Sequence, residues 1–255
     1  MNLKNTAESL IDTFLEAGKI AKKISEKGVK ITIKEDKSPV TDGDLIVDEI
    51  ISSKLKKLTP NLKIISEETV NLNIENKDKD FWLVDPIDGT KDYINNKDEY
   101  TLNAALIVNL EPVLGIIYAP AKDRLFYSYG KNHAYEIKKN KKIILNCKKL
   151  LTNKIIGLEN SGNTSEEVLE IYKTHKVSQT LKMSSSLKFC ILAAGEADIY
   201  AAKARAYEWD IAAGHAILQH AGGSITTFEK NNFLYGKKSY KNLSIIAKRE
   251  NDLSV

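Results

Sequence analysis

The pattern of apolar and polar positions divides the chain into a helical start, a strand-rich middle, and a second half in which strands and helices alternate. Leu10, Ile11, Phe14, Leu15, Ile20 and Ile24 recur at the spacing of one helix face. Asn5 followed by Glu8 reads as a capping box, and Gly28 is placed to end that helix. A second helix is predicted from about Leu45 to Leu58, before Thr59-Pro60 breaks it. Two short apolar runs follow, "LKII" up to Ser66 and "FWLV" up to Asp85. Both read as buried strands, and both run into acids. From Leu102 to Tyr118 the pattern is strand, a Glu111-Pro112 turn, then strand, an antiparallel hairpin. A second hairpin is predicted over Leu125 to Ile144.

Beyond Leu150 come "KIIGLEN", a helix near Glu166 to His175, "TLKM", "SSLKFCILAAG" and "ADIYAA". A last helix, "EWDIAAGHAILQHA", is closed by Gly222-Gly223. The first half reads as α+β and the second as α/β, joined near Lys142 to Thr152. The expected division is an N-terminal lobe of residues 1–145 and a C-terminal lobe of residues 146–255. No repeat or low-complexity segment interrupts it.

Composition adds bounds rather than identity. With 255 residues, 42% hydrophobic and 28% charged, the chain can bury a sizeable core and has the make-up of an ordinary globular protein. No apolar run approaches the ~20 residues of a membrane span. "MNLKNTAESL" lacks the basic-then-apolar pattern of a signal peptide, so the expected location is cytoplasmic, with at most a loose association with the inner face of the membrane. The net charge of +4 is spread along the chain. Its densest part, "KKNKK" at Lys138 to Lys142, sits at an expected turn without interleaved aromatics, so no nucleic-acid polymer is expected as a partner. Cys147 and Cys190 lack a CxxC neighbour and read as reduced thiols.

Three acidic places stand out: Glu67 and Glu68 after one strand, Asp85 with Asp88 after the next, and Asp210 at the start of a late helix. Strand ends are where α/β folds build sites. Carboxylates gathered without basic neighbours repel, and a hard divalent cation resolves the conflict. Mg²⁺ takes oxygen ligands, keeps several waters and accepts a phosphate oxygen as a further ligand. In Asp85-Pro86-Ile87-Asp88 the proline fixes one backbone angle, so two carboxylates and the Ile87 carbonyl can converge. Gly89 and Thr90 then offer N–H groups at a helix start, a cradle for a phosphate. The plainer reading makes Asp85 a turn cap and Asp88-Gly89 a turn signal.

Together these segments resemble the three signatures of the inositol monophosphatase superfamily: "DPIDGT" at Asp85 to Thr90, "SEE" at Ser66 to Glu68 and "WDIAAG" at Trp209 to Gly214. "KSPVTDGD" at Lys37 to Asp44 is similar to that family's N-terminal metal-loop region. "LVDPIDGTKDYI", "GIIYAP" at Gly115 to Pro120, "SSLKFC" at Ser185 to Cys190 and "WDIAAGHA" most resemble the CysQ-type 3'(2'),5'-bisphosphate nucleotidases. The resemblance runs from the first helix to beyond Gly223.

It implies an α/β fold, a layered αβαβα sandwich whose N-terminal lobe carries most metal ligands and whose C-terminal lobe carries Asp210 and the substrate-side loops. It also implies an Mg²⁺-dependent, lithium-sensitive phosphomonoesterase holding two or three ions. Its substrate would be 3'-phosphoadenosine 5'-phosphate, cleaved to AMP in the service of sulfur assimilation. Glu67, Asp85, Asp88, Asp210 and the Ile87 carbonyl would be metal ligands, and all of these but Asp85 border the substrate as well. Glu67 would also orient the attacking water, and Asp44 would pair with the Thr90 hydroxyl to activate it. The N–H groups of Gly89 and Thr90 would hold the phosphate. Lys188 would meet a second phosphate, with Lys203 and Arg205 as further candidates. One cation lowers the pKa of the attacking water and another stabilises the leaving alkoxide. Two other readings stand beside this one: an inositol monophosphatase using the same centre, and a catalytically silent phospholigand-binding module. The oligomeric state stays open.

Several residues carry plainer expectations. Asp42 reads as a solvated neighbour, and Lys188 serves equally well as a surface lysine. Ser185 and Ser186 read as helix caps rather than nucleophiles. His215 reads as structural, since Mg²⁺ prefers oxygen. Trp82 and Trp209 read as packing anchors. "AAKARAYEWD" lacks the glycine and prolines common before this signature in bacterial relatives, and Ser184 stands where glycine is usual.

Overall fold

The computed structural model describes residues 1–34, 38–74, 76–147 and 154–249. Lys37, residues 148–152 of the expected join and the chain's last residues lie outside the described residues. Helix α1 spans Leu3–Lys27 and buries Leu10, Phe14, Ala17 and Ala21 along one face. Each fully buried large side chain contributes about 1.5–3 kcal/mol, which is what holds so long a helix in place. Its cap is Asn2, whose side chain accepts from the Asn5 N–H, not the expected Asn5. Gly28 ends the helix as expected. Helix α2 spans Asp42–Leu58, three residues longer at its start than its apolar pattern predicts. Thr41 caps it, and Asp44 completes the capping box.

A seven-stranded sheet runs β3 (Lys63–Ser66), β4 (Phe81–Asp88), β5 (Thr101–Val108), β6 (Glu111–Ala119), β7 (Arg124–Ser128), β8 (Ala134–Lys138) and β9 (Lys141–Ile144), neighbours in that order. β3 and β4 are parallel and the other pairs antiparallel. The β5–β6 turn lies at Asn109-Leu110, both with positive φ, rather than at Glu111-Pro112. Pro112 sits inside β6 opposite Ile107, beside a register shift where a strand can spare an N–H. The stretch from Leu125 to Ile144 is a three-stranded meander instead of one hairpin. Its tight Lys139-Asn140 turn, with positive φ at both residues, lies within "KKNKK".

The second half supplies β10 (Ile156–Glu159), α4 (Glu166–Thr174), β11 (Gln179–Lys182), α5 (Leu187–Ala193), β12 (Ile199–Ala202), α6 (Glu208–His220), β13 (Gly223–Thr227) and β14 (Ile245–Arg249). Its sheet has the order β11-β10-β12-β14-β13. The period-two alternation of strands assigns side chains to layers. On β4, Trp82 and Val84 join the core formed with α1 and α2, whereas Phe81 and Leu83 join the core shared with α5, α6 and the second sheet. On β12, Tyr200 and Ala202 face that same core, while Ile199 and Ala201 pack with Val168 and Tyr172 of α4. The layers are therefore α1/α2, sheet, α5/α6, sheet and α4, the expected αβαβα sandwich. Gly115 lets α6 ride on β6, since a Cβ there would lie 2.3 Å from the Ala213 carbonyl oxygen.

The packing roles agree with the sequence pattern. Trp82 is fully buried with its indole N–H on the Thr59 hydroxyl, and Trp209 stacks on Tyr207 at 4.8 Å. His215 is buried against the Tyr235 hydroxyl at 3.0 Å. Burial holds its imidazole neutral, with the pKa down at about 3. Cys147 and Cys190 are buried, and the Cys147 thiol donates to the Ala221 carbonyl at 3.3 Å.

Candidate active site

Strand β4 does not stop at Asp85 but continues to Asp88, and the continuation explains the paired acids. In the ladder with β5, Asp85 lies opposite Asn103 and Asp88 opposite Thr101. Three steps on β4 thus match two on β5, a bulge of one extra residue. Asn103 and Thr101 are two apart and share a face, so the bulge puts both aspartates on that face and sends Ile87 to the opposite core. Pro86, without an N–H, stands inside the irregularity where none is needed.

Gly89 follows at φ +92°, a left-handed conformation that suits glycine. A Cβ there would also lie 3.2 Å from the Glu99 carbonyl oxygen. It opens α3 (Thr90–Ile94), the helix start expected at this point. Tyr93 anchors that short helix, donating its hydroxyl to the Ala21 carbonyl of α1 at 2.7 Å.

Asp210 comes from the first turn of α6, where its Oδ2 accepts from the Tyr207 N–H at 2.8 Å. The α6 start is itself pinned. Glu208, fully buried, accepts from the N–H groups of Gly236 and Lys237, each at 2.9 Å. Glu67 sits in the turn after β3, its N–H bonded to the Val84 carbonyl. Oxygens of Glu67, Asp85 and Asp210 lie within 4.8 Å of one another. Asp88 adjoins this trio without belonging to it, because its Oδ2 accepts from the Ser186 N–H at 2.5 Å.

The electrostatics are those of crowded, buried carboxylates. Burial above all, then mutual repulsion, holds Asp85 and Asp210 well above the ordinary range. Glu67 is pushed up to about 7, chiefly by burial and against the pull of Lys34. Asp88 is raised by burial despite the nearby Lys188 ammonium. One oxygen of Asp85 is buried with no hydrogen-bond partner. An orphaned carboxylate oxygen facing two further carboxylates is the donor set a hard, oxygen-seeking divalent cation fits.

Other expected site residues are placed differently. Asp44 and Thr90 do not pair. The N–H and hydroxyl of Thr41 both donate to Asp44 Oδ2, at 2.8 and 2.5 Å, and the Thr90 hydroxyl donates to the Ile87 carbonyl at 3.2 Å. The helix cap takes the carboxylate because Asp44 is the third residue of α2, within reach of Thr41. Ser186 does not cap α5 with its hydroxyl, which bonds Thr101 and Asn103 instead. Lys188 is no surface lysine: it is 5% exposed, with Nζ donating to the carbonyls of Met183 and Ser185. Burial lowers its pKa to about 8. Asp42 accepts from the Lys30 N–H and stays partly exposed. Lys203 pairs with Glu167 at 2.7 Å.

Sequence reasoning missed Lys34, whose Nζ lies 2.6 Å from Glu68 and 3.7 Å from Glu67. It follows β1 (Ile31–Ile33), a three-residue strand paired with β2 (Pro39–Thr41), too short to announce itself in the apolar pattern.

Two adjoining cavities open on these groups. One, of about 200 Å³, is bordered by Asp88, Asp210, Lys188 and Arg205 on its charged side and by Phe189, Tyr200, Ile211 and Leu243 on its apolar side. The other, of about 510 Å³, reaches Glu67, Gly89 and Thr90.

Acids gathered at the ends of β3 and β4 and at the start of α6, under such a cavity, define a phosphatase of the layered α/β class. The chain belongs to the inositol monophosphatase family, whose model matches residues 2–253. It is 38% identical over 220 residues to the 3'(2'),5'-bisphosphate nucleotidase CysQ of Buchnera aphidicola subsp. Acyrthosiphon pisum, covering 84% of this chain and 81% of that protein. Against the protein of the same name from Escherichia coli strain K12 it is 34% identical over 203 residues, covering 78% and 80%. The solved structure of CysQ from Bacteroides thetaiotaomicron, a bacterial member of the inositol monophosphatase family, superposes with a TM-score of 0.83 at 27% identity and 98% coverage of both chains. The family is metal-dependent, and the acidic trio is the matching feature here. Among the described residues no helix is long and apolar enough to cross a membrane.

Proposed function

We propose that the chain is an Mg²⁺-dependent 3'(2'),5'-bisphosphate nucleotidase that releases the 3'-phosphate of 3'-phosphoadenosine 5'-phosphate, a by-product of sulfur assimilation. The observation that carries the reading is the two-sided cavity beside the acids. Lys188 and Arg205 offer cations to a second phosphate, and Phe189, Tyr200, Ile211 and Leu243 offer apolar surface to a base. Inositol 1-phosphate, polar all round and singly phosphorylated, would leave both walls without a partner. The relatives named CysQ support the same choice.

Glu67, Asp85, Asp88, Asp210 and the Ile87 carbonyl would hold two or three Mg²⁺ ions. Bound there, the ions supply the positive charge that makes a water nucleophilic and stabilises the leaving oxygen. The protein's own groups do the rest. Glu67, half-buried at the cavity edge, orients the attacking water. Gly89 and Thr90 point N–H groups at the phosphate from the start of α3. The Thr90 hydroxyl would have to turn from the Ile87 carbonyl to reach Asp44, whose Oδ1 takes neither capping bond. Lys188 keeps a third ammonium hydrogen beyond the two it gives to carbonyls, and that hydrogen is available to a phosphate.

Phosphate release should require added Mg²⁺, stop in excess chelator and fall in millimolar-range Li⁺. Ca²⁺ should not substitute, because its looser shell misplaces the water. A coupled phosphate assay checks all four. Full turnover in chelator contradicts the mechanism. Metal and ligand binding without turnover on any phosphomonoester would instead favour the silent binding module.

A further inference from the structure

We propose that Thr101, Asn103 and Ser186 form a buried polar network that sets the orientation of the Asp88 carboxylate and thereby the affinity of the metal centre. The proposal rests on the reading of Asp88 as a metal ligand. All three residues are at most 1% exposed. Asp88 is the one expected acidic ligand outside the close trio, and the Ser186 N–H holds its Oδ2 at 2.5 Å. Behind that contact the Ser186 hydroxyl lies 2.8 Å from Asn103 Oδ1 and 2.8 Å from the Thr101 hydroxyl.

Proton counting fixes the direction. Asn103 Oδ1 can only accept, so Ser186 donates to it, and the Thr101 hydroxyl must then donate to Ser186. Thr101 and Asn103 are the residues that face Asp88 and Asp85 across the β4–β5 ladder. The network therefore ties the bulged acidic segment to the start of α5, two residues before Lys188 at the cavity wall.

Asn103 also acts on the carboxylate directly: besides accepting from Ser186 through Oδ1, its side chain hydrogen-bonds Asp88. It stands on the strand face where Ala105 and Ile107 pack into the core, opposite Asp85 in the ladder. A buried amide on that face, tied to Ser186 and to Asp88, is placed for positioning. What it would position is a metal ligand: removing groups that hold a ligand carboxylate typically changes metal affinity on the order of 10–100-fold.

The test titrates Mg²⁺ calorimetrically into the full-length protein without substrate, alongside thermal unfolding in chelator. Ser186→Ala and Asn103→Leu are expected to weaken Mg²⁺ binding by about 10–100-fold. Both variants should stay folded in chelator, with at most a modest fall in unfolding temperature from the buried partners left unpaired. Thr101→Val, one bond further away, should weaken binding less. Turnover should recover at high Mg²⁺. Asn103→Ser replaces the leucine variant if that does not fold. Asp88→Asn must weaken binding at least as much as either. If it does not, Asp88 is no ligand, and the network's role falls with it. If Asp88→Asn weakens binding while Ser186→Ala and the Asn103 variant match the parent, the ligand reading stands and the network is only packing.

Discussion

Asp85→Asn should abolish divalent-metal binding and lower phosphate release by on the order of 10²–10³-fold or more. Lewis-acid stabilisation supplies several kcal/mol, and each 1.36 kcal/mol is a factor of ten. The same change should make the metal-free protein more stable, by several degrees in unfolding temperature. Asp85 is 1% exposed, has an oxygen without a hydrogen-bond partner and faces Glu67 and Asp210, so its charge costs free energy unless a cation offsets it. Loss of activity with gain of stability distinguishes a site held under strain for metal from a carboxylate that holds the fold together, which would show loss of both.

The pH dependence has the matching sign. Folding raises the Glu67 pKa from 4.5 to about 7, so the folded chain holds that proton more tightly. Its contribution to stability is full below about 4.5 and is lost as the pH rises through about 7. Unfolding in chelator should therefore become easier across that window, and saturating Mg²⁺ should remove the slope. Calorimetry at several pH values, with and without the ion, reads both effects.

Lys188→Met should lower kcat/KM for the bisphosphate nucleotide by about 10–100-fold, chiefly through KM. Charge-assisted contacts contribute about 1.5–3 kcal/mol, and the unbranched methionine preserves most of the buried stem. A nucleoside monophosphate lacking the second phosphate should lose far less. Steady-state kinetics on the two substrates gives the comparison. An unchanged KM for the bisphosphate would remove Lys188 from the account of the second phosphate while leaving the substrate assignment intact.

The acids were legible in the sequence because a carboxylate at the end of an apolar strand is a local anomaly, and Asp85, Asp88 and Glu67 each presented one. The bulge that turns Asp88 to the same face as Asp85 was announced only by Pro86. Asn103, Thr101 and Ser186 carried no such mark. They look like ordinary strand and loop residues, and Ser186 reaches Asp88 across 98 positions of chain. Long-range pairing of this kind has no periodicity. Lys34 escaped because the three-residue strand before it is too short to show in the apolar pattern. Misplaced boundaries have local causes: the Thr41–Asp44 capping box extended α2 beyond its apolar pattern, and Asn109-Leu110 made the hairpin turn that Glu111-Pro112 imitates. The αβαβα layers followed from the family resemblance; the continuous apolar runs of β4 and β12 mark buried strands, and only the structure shows which core each face fills.

The most direct test of the central claim is a comparison of kcat/KM for 3'-phosphoadenosine 5'-phosphate, inositol 1-phosphate and fructose 1,6-bisphosphate with saturating Mg²⁺ and again in chelator. The account predicts that the nucleotide is preferred and that turnover of all three vanishes without the ion. Preference for inositol 1-phosphate, or turnover that survives the chelator, would contradict it.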